Sequence, residues 1–187
     1  SAMSTNPNLG ILLLLAPLAA VPVDVRLEAG IRNILARLSV HDSRLVYEAI
    51  RLAAPGGLGE VSEQDVRSIP TEPLPLIMER AADRDLIARQ YANGFDLVLR
   101  EALPQLTRDD EFARDASTAV IRLQLWLMSQ HGDSLIARKC GVELSTEAAR
   151  RARQVLACGW PGTAAGMAEL AGFDAWLRAD GHRRNPG

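Results

Sequence analysis

Asp133, Arg138 and Lys139 fall within one short run, "DSLIARKCG" (Asp133 to Gly141), bracketed by Gly132 and Gly141. An acid and two cations gathered at a helix break suit work on a phosphorylated substrate. The cations would pair with phosphate oxygens, and the acid would meet a developing positive charge. The same residues also suit plain helix architecture, with Asp133 as an N-cap and the two cations at the negative end of the helix dipole. A second set lies in "ADRDLIARQYANGF" (Ala82 to Phe95). Asp83 and Asp85 offer the oxygen ligands that magnesium takes beside a polyphosphate. Asp85 and Arg89 are also spaced as a helix-surface ion pair, worth only ~0.3–0.5 kcal/mol. The glycines of "PGGLGE" (Pro55 to Glu60) either turn backbone N–H groups toward phosphate or simply form a turn.

Other chemistries are struck off. The chain has no GxxxxGK[ST], no GxGxxG after a strand, no GxSxG and no HExxH. His41, His131 and His182 are far apart without metal-ligand spacing, and each reads as a surface or loop residue. Cys140 and Cys158 form no CxxC pair and read as reduced thiols of a cytoplasmic protein.

The elements that must position these groups are helices. Strand alternation and hairpin turns are nearly absent, so the 187 residues suit an all-α bundle, one domain of about eight to ten helices. Ser1–Ala2–Met3 reads as a vector remnant, leaving 4–187 as the domain. Near-balanced charge, 21 basic against 23 acidic residues, and 4% aromatics argue against a nucleic-acid partner. The run "LGILLLLAPLAAVPV" (Leu9 to Val23) is too short and too interrupted by Pro17 and Pro22 to span a bilayer. It predicts a helix over Leu9–Ala20 buried on nearly all sides, and no membrane partner.

Further helices are expected with Asp24 as cap, with Ser39 or Asp42 as start, and over Pro75–Tyr91 and Gly94–Leu103. A long one should follow the cap Thr107. Another should be capped by Ser145, and the last should run from about Ala164 to Arg178. Between Ala54 and Leu76 the glycines and prolines predict a long loop, with at most one helical turn near Ser62–Arg67.

Five motifs in order give the chain a family resemblance: "NPNLGILLLLAPL" (Asn6 to Leu18), "PGGLGEVSEQDV" (Pro55 to Val66), "YANGFDLVLREALPQL" (Tyr91 to Leu106), "DSLIARKCG" and the closing "RNPG". In these it resembles the triphosphoribosyl-dephospho-CoA synthase family, in particular its short, divergent archaeal and methylotroph-type members. The resemblance implies an all-α transferase that joins ATP to 3'-dephospho-CoA, releases adenine and makes the precursor of an acyl-carrier prosthetic group. It implies ATP and Mg²⁺ as cofactors and a phosphorylated cofactor precursor as the other partner, with an oligomer compatible with either. By the same token Asp133 becomes the catalytic acid. Asn6, Asn8, Arg89, Arg138 and Lys139 become phosphate or nucleotide ligands, and Asp83 and Asp85 metal ligands, all lining one pocket.

The chain departs from the family pattern at several positions. The family's Asn-Thr-His-Lys-Gly is Asn6-Pro7-Asn8-Leu9-Gly10 here, and its Arg-Gly-Glu ahead of Gly-Phe is Ala88-Arg89-Gln90, an amide in place of the carboxylate. The family's Lys-Pro-Gly segment and its final acid-bearing helix have no counterpart, so segments at both ends are expected to be missing. These departures leave open a related transferase with another acceptor, such as a pterin-type precursor, and a non-catalytic helical binding or scaffold protein.

Overall fold

Helices carry the chain through residues 8–53 and 66–186, the residues described by a computed structural model, and no strand occurs among them. The architecture is all-α, as the periodicity predicts. No helix among the described residues is long and apolar enough to cross a membrane. The chain divides into two compact units, residues 1–98 and 99–187.

The first unit holds α1 (Asn8–Ala19), α2 (Leu27–Ala36), α3 (Val40–Ala53), α4 (Leu74–Ala81) and α5 (Leu86–Asn93). Its core is built from Ile31, Leu35, Tyr47, Leu74, Met78, Tyr91 and Phe95. Helix α1 packs on α2, α3 and α5, but it is not buried all round. Ile11 is 54%, Leu12 61% and Leu15 55% exposed, whereas Pro17 is buried. A helix that is apolar on every side can still find neighbours on only one, and that corrects the expectation of a fully buried element.

Helix starts follow local capping chemistry. Ser39 and Asp42 act together at α3. The Ser39 N–H donates to Asp42 Oδ2 at 2.7 Å, and the His41 N–H donates to Ser39 Oγ at 3.2 Å, a reciprocal cap. That bond to the Ser39 N–H holds the Asp42 carboxyl below its usual value. Asp24 does not cap α2, whose N-cap is Arg26 with no side-chain bond. The helix expected over Pro75–Tyr91 is two helices, because Asp85 caps a new start. Its Oδ1 accepts from the Ile87 and Ala88 N–H groups at 2.8 and 3.0 Å. The Gly94–Leu103 segment is a π-helical stretch over Leu97–Ala102. Of the long loop expected between Ala54 and Leu76, residues 54–65, with all of "PGGLGE" and most of the turn expected near Ser62–Arg67, lie outside the described residues, as does Asn6.

The second unit holds α6 (Leu103–Leu106), α7 (Glu111–Arg114), α8 (Ala116–His131), α9 (Ser134–Cys140), α10 (Val142–Ala157) and α11 (Ala164–Arg178). Helix α10 is its centre and packs on α8, α9 and α11. It does so through small residues, Ala148, Ala149 and Ala152, which let neighbours approach closely. Leu125, Met128, Ile136, Val155, Trp160 and Phe173 close the core around them. Thr107 is not the start of a long helix: its Oγ1 donates back to Leu103 O at 3.0 Å, and Asp115 caps α8 instead. Ser145 lies inside α10, not at its start. The expected Ala164–Arg178 helix is α11, capped by Thr163.

Candidate functional site

In the first unit, the turn between α4 and α5 carries Asp83 and Asp85, and the first turn of α5 carries Arg89. Asp85 is engaged as the α5 cap, and Asp83 is exposed. Arg89 reaches back over the turn: its Nε donates to Ala82 O at 3.0 Å and its Nη2 to Asp83 O at 3.5 Å. The guanidinium therefore serves backbone carbonyls that end α4, where a cation also complements the helix dipole. Among the described residues no group of three or more His, Cys, Asp and Glu side chains stands together as a metal site.

The family-like "YANGF" directly follows and turns the chain sharply. Gly94 (φ 73°) and Phe95 (φ 65°) are consecutive left-handed residues, and Phe95 is fully buried beside Tyr91, ring centroids 5.8 Å apart. A Cβ on Gly94 would lie 3.1 Å from Arg32 Cγ. Tyr91 donates its hydroxyl to Leu13 O at 2.6 Å, tying α5 to α1, and burial pushes its pKa up to about 12.

Gln90 explains one departure from the family pattern. It is buried, with Nε2 donating to Leu86 O at 3.2 Å and Oε1 accepting from the Val98 N–H at 3.3 Å. A carboxylate could take the second bond but cannot make the first, and its charge would be desolvated there. The amide in this chain is a fitted structural residue.

In the second unit, Asp133 is 7% exposed and caps α9, its Oδ1 accepting from the Ile136 N–H at 2.7 Å. Ser145 locks the same residue from α10: its Oγ accepts from the Asp133 N–H at 3.0 Å and donates to Asp133 O at 2.9 Å. Gly132, with φ 70°, allows this approach, since a Cβ there would lie 3.2 Å from Ser145 Oγ. The result fixes the direction of α9, and its last turn presents Arg138 and Lys139. Arg138 is exposed and Lys139 half-buried.

Sequence reasoning placed Asp133, Arg138 and Lys139 on one helix, and there they stand. Asn8 opens α1 and belongs with Asp83, Asp85 and Arg89 to the first unit, the other three to the second. It missed Ser145 as the partner of Asp133, for which a serine near the next helix start was the available signal. It also misread His131, which is the half-buried last residue of α8. The ring packs edge-on against Trp126, and Nε2 is buried 3.7 Å from Glu101 Oε2.

Further cations gather on α10 and α11. Glu147 binds Arg150 and Arg151, each at 2.7 Å, and these guanidinium groups hold its carboxyl at about 2. Arg151 lies over the Trp176 ring at 4.9 Å, and Arg184 covers it too at 4.4 Å.

The arrangement offers two cations in the last turn of α9 and a carboxylate held firmly at its start; cations so placed suit phosphate esters. Comparison with known proteins identifies the family. The family described as CitG, ATP:dephospho-CoA triphosphoribosyl transferase, matches residues 1–187, the whole chain. No curated protein and no solved structure matches.

Proposed function

The chain belongs to the ATP:dephospho-CoA triphosphoribosyl transferase family, and from that premise we propose how its residues serve the transfer. The family match across all 187 residues carries this reading. In the reaction the bond from ribose C1' to adenine breaks, and a ribose hydroxyl oxygen of dephospho-CoA bonds to that carbon. The hydroxyl proton is lost and adenine leaves carrying one, so the atoms balance. Such a carbon passes through a state with oxocarbenium character, which favours negative charge nearby and little competing water.

Arg138 and Lys139 hold phosphate oxygens from the last turn of α9. Asp133 orients that helix through its cap and keeps a negative charge at its start. Asn6 and Asn8, from the family-like "NPNLG", and Arg89 are assigned to the nucleotide. Asp83 and Asp85 are an oxygen-only donor set in which Asp85 Oδ1 already accepts two backbone N–H groups. That fits a magnesium ion carried in by the triphosphate better than a resident metal, and it would neutralise phosphate charge there. The two free cysteines support placing the reaction in the cytoplasm.

The test is adenine release followed by chromatography. We expect release from ATP only when dephospho-CoA is present. Arg138→Gln with Lys139→Gln should raise KM for ATP by about tenfold, the scale of lost charge-assisted bonds, with the melting temperature little changed. Release with a pterin-type acceptor but not dephospho-CoA would move the chain to another cofactor pathway. No release and no thermal stabilisation by ATP–Mg²⁺ or dephospho-CoA would leave only a scaffold.

A further inference from the structure

The end of α9 and the segment after α11 are joined by a hydrogen bond beside the second unit's core. Cys140, the last residue of α9, donates its Sγ–H to Arg183 O at 3.5 Å, which joins the segment after α11 to the residue following Lys139. Arg184 lays its guanidinium over the Trp176 ring, and Arg151 also lies over the indole. Trp176 and Cys140 both pack on the core of the second unit, so this junction is anchored and not a loose tail.

Arg150 and Arg151 share the carboxylate of Glu147, and Glu169 also acts on Arg150. Lys139 and Arg183 make no ion pair or side-chain hydrogen bond among the described residues. The Nε of Arg184 is buried and has no hydrogen-bond partner. Helix-dipole compensation accounts for cations near two helix C-termini. It does not account for a desolvated guanidinium N–H left without an acceptor, which costs free energy unless an acceptor arrives. A stacked guanidinium uses its face for the indole and keeps its N–H edge for oxygen, the geometry that grips phosphate.

We propose that Lys139 and Arg183, brought together by the Cys140–Arg183 hydrogen bond, and Arg184, stacked on Trp176, form a binding site for a polyphosphate. This extends the phosphate role given above to Lys139 and rests on that reading for its substrates. Two sources share the chemistry: the triphosphate of ATP and the diphosphate of dephospho-CoA.

Inorganic tripolyphosphate and pyrophosphate, titrated separately, stand for the two sources, read by calorimetry and by quenching of tryptophan emission. Arg184→Gln should weaken the preferred anion at least tenfold. Lys139→Gln with Arg183→Gln, one half-buried and one exposed, should weaken it several-fold without changing far-ultraviolet circular dichroism. Arg37→Gln, an exposed arginine of the first unit, should change nothing. Stronger binding of tripolyphosphate assigns the site to ATP, and stronger binding of pyrophosphate to dephospho-CoA. Unchanged binding in both the single and the double variant overturns the proposal. Adenine release with unaltered KM for both substrates in Arg184→Gln overturns it too, while leaving the transferase reading standing. Anion binding lost in Arg184→Gln, in a protein that releases no adenine, supports the site and removes the transferase reading.

Discussion

Asp133 has two tasks that substitution can separate. Its Oδ1 caps α9, and its backbone is clasped by Ser145. Asp133→Ala should cost about 1–2 kcal/mol in urea unfolding, the range for a lost cap at a buried position. Asp133→Asn keeps an acceptor for the Ile136 N–H and should lose less than half of that. If the charge also serves the transfer, Asp133→Asn should lower adenine release by ~10²–10³, the scale for removing one electrostatic stabiliser. Tyr91 gives a second residue-level test. Its pKa is raised, so the folded state keeps a proton that the unfolded chain gives up near 10. Stability from this group is complete below pH 10 and is lost as pH rises toward about 12. Tyr91→Phe should flatten that alkaline slope, measured by denaturant midpoints across the window.

Among the elements, the legible ones were those whose signals did not compete. The apolar stretch from Ala164 marked α11, and the structure starts and ends it where the sequence suggested. The 75–91 segment was misread because its apolar period continues across Asp85, while the cap chemistry of Asp85 breaks the helix. Thr107 was expected to start the long helix, but Asp115 starts α8 instead because its carboxylate takes two bonds from Thr118. Asp133, Arg138 and Lys139 were legible as a set because one helix carries them. The Trp176 junction was not, since it joins residues far apart in the sequence that no periodicity connects. The Glu147 cluster on α10 yields an acid-side prediction. Its carboxyl sits at about 2 against a usual 4.5, so its contribution is present above pH 4.5 and is lost as pH falls toward 2. Glu147→Gln should make stability less dependent on pH in that window. Two glycines of α11 should respond oppositely to alanine. At Gly166 a Cβ would lie 2.3 Å from Trp160 N, and the protein should lose several degrees in its melting temperature. At Gly172 nothing lies within 4 Å, and alanine should stabilise by about 0.5–1 kcal/mol.

At the scale of the whole molecule, each unit draws on an apolar core of its own. The second has Leu125, Ile136, Val155, Trp160 and Phe173 around α10. Residues 99–187 produced alone should therefore melt cooperatively by circular dichroism; a broad, featureless melt would show that this core needs the rest of the chain. The first unit carries a different liability in α1, a helix without a single charged residue that turns Ile11, Leu12 and Leu15 to water. Such a face governs handling at the bench. Sulfate and phosphate salts strengthen contacts between apolar surfaces, so the protein should be retained on phenyl resin and come out of solution early in ammonium sulfate. Leu12→Lys with Leu15→Lys should elute sooner and stay clear at salt concentrations that cloud the parent, which makes α1 the first place to edit when concentrated, crystallisable material is wanted.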